Sequence, residues 1–244
     1  MKKILSYILT PFSLFFFAFA LCFFHVVQLV CKIFSERARQ KSIPYLCYML
    51  TYSSVLVGAR IRFIGFKDIP TDRPIIALSN HQSALDIPAM VLGFKNKYMR
   101  FVAKKSLEKG IPSVSYNLKV GGSALIDRSN PRQSISEIAK LGKITAQEHS
   151  AVSIFPEGTR SKDGKVRTFQ SSGVTTLLKY APSSLIVPVA ISGHYELTKD
   201  GSFPLPWGVH LTYTALTPIS TEGKTGEEIT LEAEMAIKKA LGQL

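Results

Sequence analysis

From Ile4 to Val30 the chain carries no formal charge, and this run constrains the fold more than anything that follows it. A helix needs about 20 apolar residues to cross the hydrocarbon core of a bilayer, so the segment is long enough to cross a membrane or to lie deeply in one. Its polar members are few: Ser6, Tyr7, Thr10, Ser13, His25 and Gln28. Ala18-Phe19-Ala20 has the small-x-small form of a signal-peptide cleavage site, which would release a chain starting at Leu21. Leu21 to Val30 stays apolar, however, where a secreted chain should turn polar, so retention as an anchor is expected. Pro11 marks a helix start or a kink.

Lys2 and Lys3 precede the run; Lys32, Arg37, Arg39 and Lys41 follow it, opposed only by Glu36. A second, more amphipathic segment extends from Pro44 to Gly58. Two adjoining helices with basic residues between them read as a hairpin seated at a membrane surface. Cations on both sides leave open whether the first helix spans. The expected division is a hydrophobic helical membrane anchor over 1–58 and an α/β domain over 59–244.

Lysine and arginine total 30 against 17 acidic residues, a formal net charge of +13 that favours anionic partners. No recognisable nucleic-acid-binding motif accompanies the charge, so it points to an anionic phospholipid membrane and phosphorylated small molecules, and away from nucleic acid. Cys22, Cys31 and Cys47 form an odd set without metal-ligand spacing. They read as small apolar residues, with neither a disulfide framework nor a zinc site.

Beyond Arg60 short apolar runs alternate with helical stretches. Arg60-Ile61-Arg62-Phe63 alternates as a half-exposed strand should, while Ile75 to Leu78 is a continuous, fully buried run. Further strands are expected at Tyr98 to Ala103, Ala124 to Ile126, Val152 to Phe155, Leu185 to Ile191 and Val209 to Leu216. Asn130-Pro131 suits a helix cap and first turn, and Thr225 with Glu228 forms a capping box before a last helix near Gly226 to Leu241. This alternation predicts an α/β fold, a mainly parallel sheet flanked by helices, with the ligand site beyond the carboxyl ends of the strands.

Two polar blocks sit at such ends. In Ser79-Asn80-His81-Gln82-Ser83-Ala84-Leu85-Asp86, His81 is the candidate general base, because imidazole is the side chain that accepts a proton near neutral pH. Asp86 can fix its tautomer and stabilise the imidazolium, leaving a substrate hydroxyl as nucleophile. No Gly-x-Ser-x-Gly elbow supplies a hydrolase nucleophile. In Phe155-Pro156-Glu157-Gly158-Thr159-Arg160-Ser161, Gly158 allows a sharp turn, Arg160 offers a planar fork to phosphate oxygens, and Thr159 adds a hydroxyl. Glu157 is expected to pair with Arg160 or to accept from a substrate hydroxyl. Gly121 to Arg128 places Arg128 at another strand end, either on the same phosphate or in a structural turn with Asp127. Lys104 or Lys105 follows a strand and can reach the site. His194, after the Leu185 to Ile191 run, either lines the site or, like His25, His149 and His210, is structural.

In this order the blocks resemble the glycerophospholipid acyltransferase family, and its bacterial 1-acyl-sn-glycerol-3-phosphate acyltransferases in particular. Asn80 to Asp86 looks like the family's His-x4-Asp block, Gly122 to Arg128 like its second, ending in Ile-Asp-Arg, and Val187-Pro188-Val189 is similar to its fourth. Phe155 to Ser161 matches the Phe-Pro-Glu-Gly-Thr-Arg-Ser block in full. The resemblance, over about Arg60 to Ile191, implies a two-helix motif resting in one leaflet and an acyl-CoA or acyl-carrier-protein donor. It implies His81 as base with Asp86 as its orienter. It also implies the Glu157, Gly158, Thr159 and Arg160 turn as the phosphate site of lysophosphatidic acid, assisted by Lys104 and Arg128. It calls for no metal and no tightly bound cofactor, and for a site at the cytoplasmic face of the cytoplasmic membrane. Leu125 replaces a phenylalanine common in the family, and Ile111-Pro112-Ser113-Val114-Ser115 lacks the glycine of a common Ile-Pro-x-x-Gly turn; the second departure bears on the acyl-pocket shape and the acceptor's identity, not on the reaction. An acyltransferase for another lysolipid, such as a lyso-amino-acid lipid, and a non-catalytic membrane lipid-binding protein stand as alternatives.

Overall fold

Residues Ile75–Ser79 form strand β2, and every one of them is buried because the strand lies at the middle of the sheet. In the computed structural model, which describes residues 1–244, its companions are β1 (Arg60–Ile64), β3 (Met99–Lys104), β4 (Ala124–Ile126), β5 (Ala151–Ile154), β6 (Leu185–Ser192) and β7 (His210–Ala215). Together they make one seven-stranded sheet in the order β1-β7-β6-β2-β5-β3-β4. Neighbours pair in parallel except β6 with β7, so the sheet is mainly parallel, as the alternating sequence predicts.

The two-residue period of β2 divides the core. Ile75 and Ala77 face one cluster and Ile76 and Leu78 the other. The helices are α1 (Lys2–Phe34), α2 (Glu36–Tyr52), α3 (Asp86–Gly93), α4 (Val114–Val120), α5 (Pro131–Gln147), α6 (Ser171–Tyr180), α7 (His194–Thr198) and α8 (Gly226–Ala240). Cys47 of α2, Met90 of α3 and Leu118 of α4 cover the first face; Leu141 of α5, Leu177 of α6 and Ile229 of α8 cover the second. Each such buried leucine, isoleucine or methionine contributes about 1.5–3 kcal/mol. The caps read from the sequence form: Asn130 accepts from the Gln133 N–H, and Thr225 and Glu228 make the reciprocal box.

The N-terminal region departs from expectation in three ways. Helix α1 runs from Lys2 through Pro11 to Phe34, so the proline does not mark its start. The ring removes one backbone hydrogen bond, and the turns on either side hold. Helix α2 begins at Glu36, well before Pro44, because Ser35 caps it by accepting from the Ala38 N–H at 3.0 Å. Arg39 also leaves the expected surface patch: it is fully buried and donates to Glu36, Asn117 and Tyr98.

Helix α1 is built the reverse of a helix in a water-soluble protein. Its buried positions are Ser6, Thr10, Ser13, Ala20, Phe24 and Gln28, while Phe12, Phe15, Phe16, Phe19, Phe23 and Val26 are exposed. Its most apolar 18-residue window has a mean hydropathy of 2.4 and is only 17% buried, and the helix is long and apolar enough to cross a membrane. The inward polar groups dock it. Thr10 Oγ1 accepts from the Leu205 N–H at 3.0 Å, and Ser13 donates to the Ser53 carbonyl at 2.8 Å. His25 accepts from the Ser113 N–H, Ser113 Oγ donates to the Leu21 carbonyl, and Gln28 accepts from Asn117.

Candidate active site

The two polar blocks emerge from adjacent strands. β2 and β5 pair in parallel, with Leu78 opposite Ile154, so the segments beyond them lie side by side. Two hydrogen bonds then bracket the peptide of His81: its N–H donates to Glu157 Oε1 at 3.0 Å, and its carbonyl accepts from the Ser161 N–H at 2.8 Å. The imidazole stacks on Phe155, centroids 4.1 Å apart with 21° between planes. Asn80 fastens the other side by pairing both ways with the Ile191 backbone on β6, at 2.9 and 2.8 Å.

Asp86 opens α3 with its carboxylate fully buried. Oδ2 accepts from His81 Nδ1 at 2.8 Å and from the Gln82 and Ser83 N–H groups at 2.7 and 2.9 Å. Oδ1 is bonded to His194 Nδ1. Burial works against the charged form, and the His194 and His81 imidazoles outweigh it, holding the carboxyl down to about 2. An ionised Asp86 keeps the proton of His81 on Nδ1. Nε2, which makes no hydrogen bond within the chain, is then left with a free lone pair on a side chain 15% exposed.

Glu157 turns inward. It is 7% exposed, Oε1 holds the His81 N–H, and Oε2 has no partner. Burial pushes its carboxyl up to about 7, against the pull of the His81 backbone N–H. The expected pairing with Arg160 is absent because the turn at Gly158, where φ is +70°, sends the two side chains apart: Gly158, Thr159 and Arg160 are exposed and Arg160 is in no ion pair. Gln82 and Ser83, whose amides are committed to Asp86, are unable to serve a developing oxyanion with those groups.

The cations fall along one edge. Lys104 ends β3, and Arg128 follows β4; both are exposed. From the strand of His81 to that of Arg128 is three strand steps, β2-β5-β3-β4, or roughly 14 Å at the usual interstrand spacing. Arg100, on the same strand as Lys104, is instead buried, bonded to the Gly121 carbonyl, Ser150 and Glu148. No group of three or more His, Cys, Asp or Glu side chains is gathered as a metal-ligand set.

Known proteins similar to this chain are enzymes of acyl transfer. A family model described as "Acyltransferase" matches residues 60–192, more than half of the chain. The 1-acyl-sn-glycerol-3-phosphate acyltransferase alpha of Mus musculus is 25% identical over 207 residues, covering 84% of this chain and 70% of its own length. The chloroplastic 1-acyl-sn-glycerol-3-phosphate acyltransferase LPAT1 of Arabidopsis thaliana is 28% identical over 166 residues, 67% of this chain and 45% of its own. The crystal structure of PlsC, the 1-acyl-sn-glycerophosphate acyltransferase of Thermotoga maritima, has the same fold, with a TM-score of 0.79 at 24% identity over 100% of this chain and 97% of that one.

Proposed function

The chain belongs to the acyltransferase family, and from that premise we propose that it moves a fatty acyl group from acyl-CoA or acyl-carrier protein to the sn-2 hydroxyl of 1-acyl-glycerol-3-phosphate, giving phosphatidic acid. The observation that carries the reading is the His81–Asp86 pair at 2.8 Å, with the Glu-Gly-Thr-Arg turn hydrogen-bonded to the same His81 peptide. The activities for which the mouse and plant relatives are named support the choice of acceptor.

In this mechanism Nε2 of His81 removes the proton of the acceptor hydroxyl as its oxygen bonds to the thioester carbonyl carbon. The tetrahedral oxyanion collapses, the C–S bond breaks, and the proton on Nε2 passes to the departing thiolate. Asp86 keeps the Nδ1 proton in place and balances the imidazolium. Arg160 receives the acceptor phosphate, with Lys104 and Arg128 further along the same edge, and Gly158 and Thr159 shape the turn. Glu157 serves through the His81 backbone. Proton transfer and charge stabilisation complete the reaction, so the reading calls for no metal or tightly bound cofactor. Residues 1–58 act as the anchor in the cytoplasmic membrane, resting in one leaflet, with the site at the cytoplasmic face; the apolar outward surface of α1 supports the anchor.

The test is a radiolabelled acyl-transfer assay on detergent-solubilised protein. Lysophosphatidate and other lysolipids are offered with acyl-CoA and acyl-carrier-protein donors. Phosphatidate should form, and His81→Ala should lower the rate by about 10²–10⁴-fold. Faster turnover of another lysolipid would reassign the acceptor. A folded, fully active His81→Ala would remove the mechanism, and no turnover with any donor would leave lipid binding without catalysis.

A further inference from the structure

His194 follows the sixth strand, far from the catalytic block in sequence, yet it reaches the same carboxylate. Its Nδ1 is bonded to Asp86 Oδ1, and its Nε2 lies 2.7 Å from the Tyr213 hydroxyl. Both side chains are buried to within 2% or less. The position is built rather than incidental. Gly193 precedes it with φ +90°, and a Cβ there would stand 2.0 Å from the His210 carbonyl oxygen, so only glycine lets β6 turn into α7 against β7. Tyr213 is clamped from behind by Phe63, stacked at 4.9 Å.

Counting donors fixes the protonation of this chain of groups. With Nδ1–H donating to Asp86, Nε2 carries a lone pair and accepts the Tyr213 hydroxyl proton, and every buried proton has an acceptor. A doubly protonated His194 would donate to Tyr213 from Nε2 and strand the phenolic proton, for which no other partner is present. Burial and the nearby Asp86 charge keep that phenol neutral, well above its usual range. A line of hydrogen bonds thus runs Tyr213–His194–Asp86–His81 and ends at the free Nε2 of His81.

We propose that His194 and Tyr213 are positioning residues for acyl transfer: Tyr213 donates to His194 Nε2 and fixes its ring, and His194 holds Asp86 Oδ1 so that Oδ2 is aimed at His81 Nδ1. The proposal rests on the reading of His81 as base. Asp86 takes three donors on Oδ2 and one on Oδ1; without His194 the Oδ1 side is unpaired and the buried carboxylate is held from one side only. Removing His194 also leaves His81 as the only imidazole facing the carboxylate charge. The titratable groups facing this line are His81 and Asp86, Tyr213 on β7, Tyr52 at the end of α2, and Glu157 beyond β5, with Tyr195 and Glu196 beside His194 on α7.

The experiment measures kcat, KM and the pH profile of kcat/KM in detergent-purified full-length protein for the wild type, His194→Ala, His194→Asn, Tyr213→Phe and His81→Ala, with the thermal midpoint of each. His194→Ala should lower kcat by about 10- to 100-fold, part of what a positioned base contributes, with KM little changed. The acid limb of its profile should move to higher pH. His194→Asn, whose amide N–H stands in for Nδ1–H, should recover most of the rate, and Tyr213→Phe should lose less than His194→Ala in the same direction. Loss of rate only in proportion to loss of folded protein, with the acid limb unmoved, would overturn the proposal. So would an unchanged His194→Ala, or a folded His194→Asn no better than the alanine. If His81→Ala itself turns over normally, the base reading falls and this inference with it; if only His81→Ala is impaired, the inference alone falls.

Discussion

Single residues in this protein do work that their type alone does not announce. His81 and Asp86 were legible because their chemistry is local: five positions apart, one on the loop after β2 and one on the first turn of α3. Glu157 was not, because its partner is a backbone N–H delivered by the neighbouring strand, and only the sheet order makes β2 and β5 neighbours. Its carboxyl titrates near 4.5 unfolded and is raised to about 7 in the fold. Between those values the folded chain holds the additional proton, so stability falls as pH rises through that window and levels off above it. Glu157→Gln keeps an oxygen for the His81 N–H without the buried charge. Its stability relative to wild type should therefore improve between pH 5 and 8, by on the order of 2–3 kcal/mol, in denaturant unfolding followed in detergent. A flat difference would mean that the carboxyl titrates normally. Arg160 is the opposite case, exposed and free of ion pairs. Arg160→Ala should raise KM for lysophosphatidate about tenfold or more while leaving kcat within a few-fold, since a lost charged hydrogen bond costs about 1.5–3 kcal/mol. Equal loss of kcat and no change in KM would take the phosphate away from this side chain.

At the scale of elements, periodicity predicted most of the sheet and failed where a cap or a partner decides. The strands from Arg60 to Ala215 fall where apolar runs place them, give or take a residue at their ends. The start of α2 was missed because Ser35 looks like part of a basic linker until its hydroxyl is seen on the Ala38 N–H. Arg39 and Arg100 likewise look like surface charge in sequence and are buried in the fold, since carbonyl, amide and carboxylate partners come from remote segments. The polar residues of α1 looked like exceptions in an apolar run, yet they form its docked face. Thr10→Val tests this with almost no change in shape. It leaves the Leu205 N–H buried without an acceptor, which should cost about 1–3 kcal/mol and lower the thermal midpoint in detergent. A midpoint equal to wild type would mean that water or a neighbouring group satisfies that N–H.

For the whole molecule, charge and anchor act together. A net charge of +13 with Lys104, Arg128 and Arg160 exposed along one edge should gather anionic lipid and acceptor around the site. Raising salt from about 0.1 M to 1 M shortens the Debye length from about 10 Å to 3 Å. Activity on lysophosphatidate at subsaturating concentration in anionic vesicles should fall several-fold over that range, with much less effect in vesicles of zwitterionic lipid at saturating acceptor. Equal salt sensitivity in both would assign the effect to the enzyme itself. The hydrogen bonds from Thr10, Ser13, Leu21, His25 and Gln28 allow α1 only one register against the rest of the chain. The helix thereby becomes a gauge of altitude. With the membrane seating proposed above, a slip of one turn, about 5.4 Å, would lift or sink His81 relative to the glycerol layer without altering any residue around it.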